Sequence, residues 1–163
     1  MGWLFIFPQD AKVSVFIDGY NLYHSVKNLN KPHLKWVNPF LFCKFFINIK
    51  EDEIKRVKFF TAFPRHKMQD VQERYIKYTK SLKHYGTEII EGEFKQKLVT
   101  FYHNNQQFTR KTFEEKESDV NLSLAIVEDA YEKISDKIVV ITNDSDIAPA
   151  IKMAKEKNPN LKI

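Results

Sequence analysis

The sequence predicts an α/β fold in which a mainly parallel sheet of four to five strands carries helices on both faces. Three observations support this. Short runs rich in β-branched and aromatic residues recur along the chain, segments of helical period separate them, and acids stand directly after two of the runs. Strands joined through helices need right-handed crossovers, and therefore pair in parallel.

Val13 to Ile17 is almost wholly apolar, the pattern of a strand buried on both faces, with Gly19 permitting a tight exit. Leu22, Tyr23, Val26 and Leu29 then recur at helical spacing until Asn30-Lys-Pro32 stops them. Asn38-Pro39 opens a second helix whose apolar positions include Phe40, Leu41, Phe45 and Phe46. Arg56 to Phe63 predicts a second strand, and Lys67 to Tyr85 a charged helix closed by Gly86. On that helix Arg74, Lys77, Lys80 and Lys83 form a solvated face. Thr87 to Ile90 predicts a third strand. From Phe94 to Phe113 aromatic and basic residues surround Asn104-Asn105, as in a hairpin or extended arm. Ser118 offers an N-cap to a helix running to about Ile134, followed by a strand at Lys137 to Thr142. A last helix spans Asp146 to Lys157, and Leu161 to Ile163 begins a further strand. A switch in strand order beside the first strand would bring Asp18 and Asp144 onto neighbouring strands.

At 163 residues and 43% hydrophobic content the chain has the size and core of one domain, read as an extension over residues 1–11 and a folded unit over 12–163. Met1 to Pro8 is apolar but too short to span a membrane, and no longer apolar run follows. The net charge of +5 and a pI of about 9.1 favour a polyanionic partner. Cys43 is the only cysteine, which excludes an intrachain disulfide and a Cys-rich zinc site, fits a reducing cytoplasm, and reads as a small core residue. The glycines, Gly2, Gly19, Gly86 and Gly92, form no phosphate-binding loop.

Four acids carry the functional expectation. Asp18 ends the first strand, Asp119 opens a long helix, and Asp144 and Asp146 follow the run Ile138 to Ile141. Carboxyl ends of parallel strands share one rim, so these acids can converge, and converged carboxylates repel unless a cation or protons compensate. Hard oxygen ligands suit Mg²⁺ or Mn²⁺, whose waters serve phosphodiester hydrolysis. Each acid also has an ordinary reading. Asp18 suits an Asx turn, Asn143-Asp-Ser-Asp146 a helix start, and Asp119 the positive end of its helix dipole. Asn21 lies one turn after Asp18 and can orient it or a metal-bound water. Lys116 can neutralise the cluster or touch substrate phosphate.

Val-Phe-Ile-Asp18-Gly-Tyr-Asn21-Leu-Tyr, Glu115-Lys-Glu-Ser-Asp119-Val-Asn-Leu-Ser-Leu-Ala and Ile141-Thr-Asn-Asp144-Ser-Asp146-Ile-Ala-Pro together resemble the NYN domain family of PIN-like nucleases, particularly its LabA/DUF88 branch. The resemblance runs from about Lys12 to the C-terminus. It implies a PIN-like three-layer α/β/α fold, a Mg²⁺ or Mn²⁺ site and endoribonuclease activity. It carries metal and catalytic roles onto Asp18, Asp119, Asp144 and Asp146, with Asn21 in support. Here Glu117-Ser-Asp119-Val replaces the family's usual Gly-Val-Asp-Val, Ile147 replaces an aromatic, and the sequence stops before the strand and helix with which members usually continue, so a C-terminally truncated domain is expected.

RNA is the expected partner, with a homodimer or a regulatory protein as further candidates and no membrane. Lys95, Lys97, Arg110 and Lys111 interleave with Phe101, Tyr102, His103 and Phe108 along the arm, so Tyr102 and its neighbours can stack on unpaired bases while the cations hold phosphates. A half-buried hairpin with one aromatic face in the core reads the same way. Arg65 and Lys67 follow the second strand and can grip backbone phosphate on the same rim. Two rival classes remain from sequence: an inactive NYN-like module that binds RNA or a regulator, and a phosphotransfer domain using an Asp nucleophile.

Overall fold

The computed structural model describes residues 11–48, 50–104 and 106–163. In it β1 (Ala11–Asp18) leads into α1 (Gly19–Asn28), a 3-10 turn at Pro32–Trp36 and α2 (Pro39–Cys43). Then come β2 (Asp52–Ala62), α3 (Gln69–His84), β3 (Thr87–His103), β4 (Gln106–Lys116), α4 (Ser118–Glu132), β5 (Lys137–Ile141) and, after a 3-10 turn at Ser145–Ile147, α5 (Ala148–Lys157). The expected extension lies outside the described residues except for Ala11, which already pairs as the first residue of β1.

Among the described residues one five-stranded sheet has the order β4-β3-β2-β1-β5. All its pairings are parallel except β3 with β4, as the α/β prediction requires. Strand alternation sorts the core into two layers. Val13, Val15 and Ile17 of β1 pack with Val57 and Phe59 of β2 under Cys43 and Leu82, on the side of α2 and α3. Phe16 and Phe60 face the other way, beneath Leu122, Ile126 and Ala130 of α4 and Ala154 of α5. β1 is thus buried from both sides, which is why Val13 to Ile17 is apolar apart from the buried Ser14, whose hydroxyl accepts from Arg56. Cys43 sits in the core as expected, its thiol pushed up to about 11 by burial.

The chain lays β2 and β3 successively to one side of β1 and returns through α4 to place β5 on the other. The crevice between the carboxyl ends of β1 and β5 is therefore a topological switch point, as expected. Ile17 pairs with Ile141, so Asp18 stands beside Thr142.

Four local expectations are corrected. Thr87 to Ile90 is only the beginning of β3, which continues without a break through the arm, so the hairpin is an extension of the sheet. Within that long strand Gly92 stays paired with Ala62, and its missing side chain lets the β4-to-α4 junction close in. A Cβ there would lie 2.3 Å from the Lys116 carbonyl oxygen and 3.1 Å from Ser118 Oγ. Ser118 is not the cap of α4, because its hydroxyl donates to Glu115 while Glu117, left-handed at φ 78°, occupies the cap position. α2 ends at Cys43, leaving Phe45 84% exposed beyond it. The fifth strand is β4, and the residues after Leu161 contribute a single parallel bridge, Lys162 to Lys137.

Candidate functional site

Asp18 is the most constrained of the expected site residues. It is 2% exposed and caps α1, accepting through Oδ1 from the Asn21 backbone N–H at 2.9 Å. Its Oδ2 accepts from the Asn21 side-chain amide and, at 3.0 Å, from the Thr142 hydroxyl. Thr142 in turn accepts from the Asp144 N–H at 3.0 Å, so one hydroxyl ties the end of β1 to the loop after β5. Asp144 caps the following 3-10 turn, accepting from the Asp146 N–H at 2.9 Å through one oxygen. Capping and participation in the cleft therefore coexist in the same side chains.

Asp18, Asn21, Lys116, Asp119 and Asp144 line one cleft of about 400 Å³, together with Tyr20, Phe113, Glu114, Glu115 and Ser118. Asp119 reaches it from the first turn of α4. Its carboxyl is raised above the usual range, first by burial and then by the negative charges of Asp18, Asp144 and Asp146. That mutual influence brings the four acids into one electrostatic neighbourhood, although Asp146 is exposed and does not line the cleft. Glu115 is pushed up to about 7, chiefly by burial, against the Ser118 hydroxyl and with further push from Asp18 and Asp119. Among the described residues no three His, Cys, Asp or Glu side chains are grouped to ligate one ion directly.

The expected RNA-binding residues are more dispersed. Lys116 is at the cleft wall, where it pairs with Glu114 at 3.1 Å. Arg65 and Lys67 are exposed in the loop after β2. The arm residues Lys95, Lys97, Tyr102, Arg110 and Lys111 do not line the cleft. Nor do they form one stripe. The register opposes Lys95 to Glu114, Lys97 to Thr112 and Arg110 to Val99 on one face, while Lys111, Tyr102 and Phe113 lie on the other. Lys95 pairs with Glu93 at 2.8 Å and Lys97 with Glu114 at 2.6 Å.

Sequence reasoning assigned no role to Thr142, Glu115, Tyr20 or Phe113. The signals were faint: a hydroxyl immediately after an apolar strand, an acid spaced two residues from an aromatic on a strand, and an aromatic beside Asp18.

The NYN domain profile matches residues 12–162. A curated relative, 6-hydroxy-3-succinoylpyridine 3-monooxygenase HspA from Pseudomonas putida (strain DSM 28022 / S16), is 28% identical over 178 residues, covering 90% of this chain. The match spans 56% of that relative's length. A solved structure of a protein of unknown function from Vibrio parahaemolyticus RIMD 2210633 superposes with a TM-score of 0.54 at 15% identity, over 93% of this chain and 78% of that one, a likeness of fold. With the family pattern spanning nearly the whole sequence, the chain belongs to the NYN domain family.

Proposed function

We propose that this protein is a metal-dependent endoribonuclease of the PIN-like kind, close to the LabA/DUF88 branch, cutting single-stranded or loop RNA in the cytoplasm. The observation that carries this reading is the cleft at the switch point lined by Asp18, Asp119 and Asp144, where burial and the charges of Asp18, Asp144 and Asp146 raise Asp119. Their hard oxygens fit Mg²⁺ or Mn²⁺. Mg²⁺ or Mn²⁺ that keeps several of its waters would need few direct carboxylate ligands here. Such an ion supplies a water of lowered pKa and stabilises charge on phosphoryl oxygens. Asp18, Asp119 and Asp144 would hold it, and Asn21 and Thr142 keep Asp18 oriented. Asp146, outside the cleft lining, would add its negative charge and reach the ion through water. Lys116, Arg65 and Lys67 balance and position the phosphates.

The test is cleavage of a mixed single-stranded and structured RNA with Mn²⁺, Mg²⁺ or chelator. Asp144→Asn is the cleanest control, because an amide oxygen can still accept from the Asp146 N–H and the turn survives. Asp18→Asn also removes a ligand, but it sets an amide N–H against the Asn21 amide. Cleavage that needs the metal and falls to background in Asp144→Asn supports the reading, whereas wild-type rates in that variant would end it. RNA binding unaffected by metal, without turnover, would instead establish an inactive binding module.

The relative's monooxygenase name favours a second reading, oxygenation of a hydroxypyridine. It ranks below the first because the chain spans only 56% of that relative's length at 28% identity, while the cleft is lined by carboxylates. Dioxygen uptake on adding 6-hydroxy-3-succinoylpyridine with an electron donor separates the two.

A further inference from the structure

The acidic cleft is bordered by two aromatic rings that a purely ion-holding site does not need. Tyr20, in the first turn of α1, is 46% exposed, and Phe113 of β4 is 39% exposed. Each rests on a half-buried histidine. The Tyr20 ring lies 4.4 Å from that of His24, centroid to centroid, and the Phe113 ring is stacked on His66 at 4.3 Å and 10°. Phe94 pins His66 edge-on at 4.6 Å. Burial and the neighbouring Lys67 lower the basicity of His66, which favours an uncharged backing ring. Scattered surface aromatics are ordinary, but here two supported rings share one cavity with the carboxylates. A ring held from behind loses little freedom when a second flat ring lies on its open side.

We propose that Tyr20 and Phe113 form a subsite for nucleobases, stacking the bases that flank a phosphate presented to the carboxylates. The proposal rests on the nuclease reading of the cleft, from which it takes the placement of the phosphate. It gives the preference for unpaired RNA a physical source, since bases in a duplex are stacked on one another and offer no free face. The ligand is therefore an unpaired strand, and discrimination against duplex arises beside the scissile position. The distal arm is not required for it.

The experiment is fluorescence anisotropy of the full chain with a short unpaired oligoribonucleotide and with the same backbone made abasic, in Ca²⁺. Tyr20→Ala and Phe113→Ala are compared with the conservative variants Tyr20→Phe and Phe113→Tyr. Stacking on one aromatic is worth roughly 5- to 150-fold in affinity. Each alanine variant is expected to lose about that factor on the base-bearing strand and nothing on the abasic one, while the conservative variants bind as wild type does. Equal losses on both strands, or no loss on either, would overturn the proposal. So would a mononucleotide binding as tightly as the strand, which would assign the shelves to a free nucleotide. The readout is independent of turnover. A chain that never cuts RNA but shows the base-dependent loss keeps this subsite and loses the nuclease, and a chain that cuts RNA with unaltered alanine variants does the reverse.

Discussion

Glu115→Gln tests the electrostatics of the cleft without touching a proposed metal ligand. In the unfolded chain a glutamate ionises near 4.5, whereas in the fold Glu115 does so near 7, because burial and the charges of Asp18 and Asp119 outweigh the Ser118 hydroxyl. Between these values the folded state binds more protons than the unfolded one, so stability falls as pH rises. The penalty is absent below 4.5 and complete above about 7. At about 1.36 kcal/mol per pH unit the interval corresponds to about 3.4 kcal/mol, which solvent on the open side of the cleft reduces to about 2 kcal/mol. Glutamine keeps the shape and an acceptor for Ser118 but cannot ionise. Urea unfolding in chelator is expected to show the variant more stable than wild type by about 2 kcal/mol at pH 8 and indistinguishable at pH 4.5. Saturating Mg²⁺ or Mn²⁺ at pH 8 supplies the missing positive charge and should shrink the gap. A gap of equal size at both pH values, or a variant less stable at pH 8, would refute this account.

Other elements give sharper or simpler outcomes. Asp129 is fully buried on α4 and binds Arg56 at 2.9 Å while accepting from the Ser135 N–H at 3.1 Å, so Asp129→Ala leaves the Ser135 N–H unpaired and a half-buried guanidinium with only the longer 3.6 Å contact to Glu128 as its ion pair. It should lower unfolding free energy by about 3–5 kcal/mol in urea titrations. Gly92→Ala forces a methyl against the Lys116 carbonyl and should cost about 1–3 kcal/mol by the same assay. By shifting the start of α4 it should also weaken Mn²⁺ affinity measured by calorimetry, because Asp119 moves with that turn. Replacing Arg65 and Lys67 together by alanine should flatten the salt dependence of RNA binding by about 0.7 in log-log slope for each phosphate left without its cation, with anisotropy across a salt series as the check.

What could be read from the sequence was whatever depends on one strand or one helix at a time. The run Val13 to Ile17 announces a doubly buried strand, and an acid at its end must sit on the rim. The same holds for Ile138 to Ile141 and Asp144. Parallel pairing followed from the helical spacers, so the sequence pointed to all four acids at one rim, and Asp18, Asp119 and Asp144 line the cleft there. Hidden features depend on register between segments. Glu115 and Phe113 face the cleft only because β4 returns antiparallel along β3 in one particular alignment, and a shift of one residue would turn them away. Gly92 gave no structural signal because its use is a close approach from another part of the chain, which no local pattern records.

Asp18 and Asp144 act as caps in the fold, and a cap of this kind is compatible with the proposed ligand role. Asp18 and Asp144 cap the turns that follow them and are fixed by those bonds, while a carboxylate's several lone pairs leave capacity for a cation. Capping is thus part of what makes such acids usable, since a group already held in place loses little further entropy when an ion arrives. Asp119 and Asp146 lie more openly at the starts of their turns and are felt by the cluster through charge. The division implies an order of sensitivity. Changes at Asn21 or Thr142, which orient Asp18, should weaken metal binding before they weaken the fold. Thr142→Val is the direct case, because it deletes one hydroxyl that joins both strand ends at nearly constant volume.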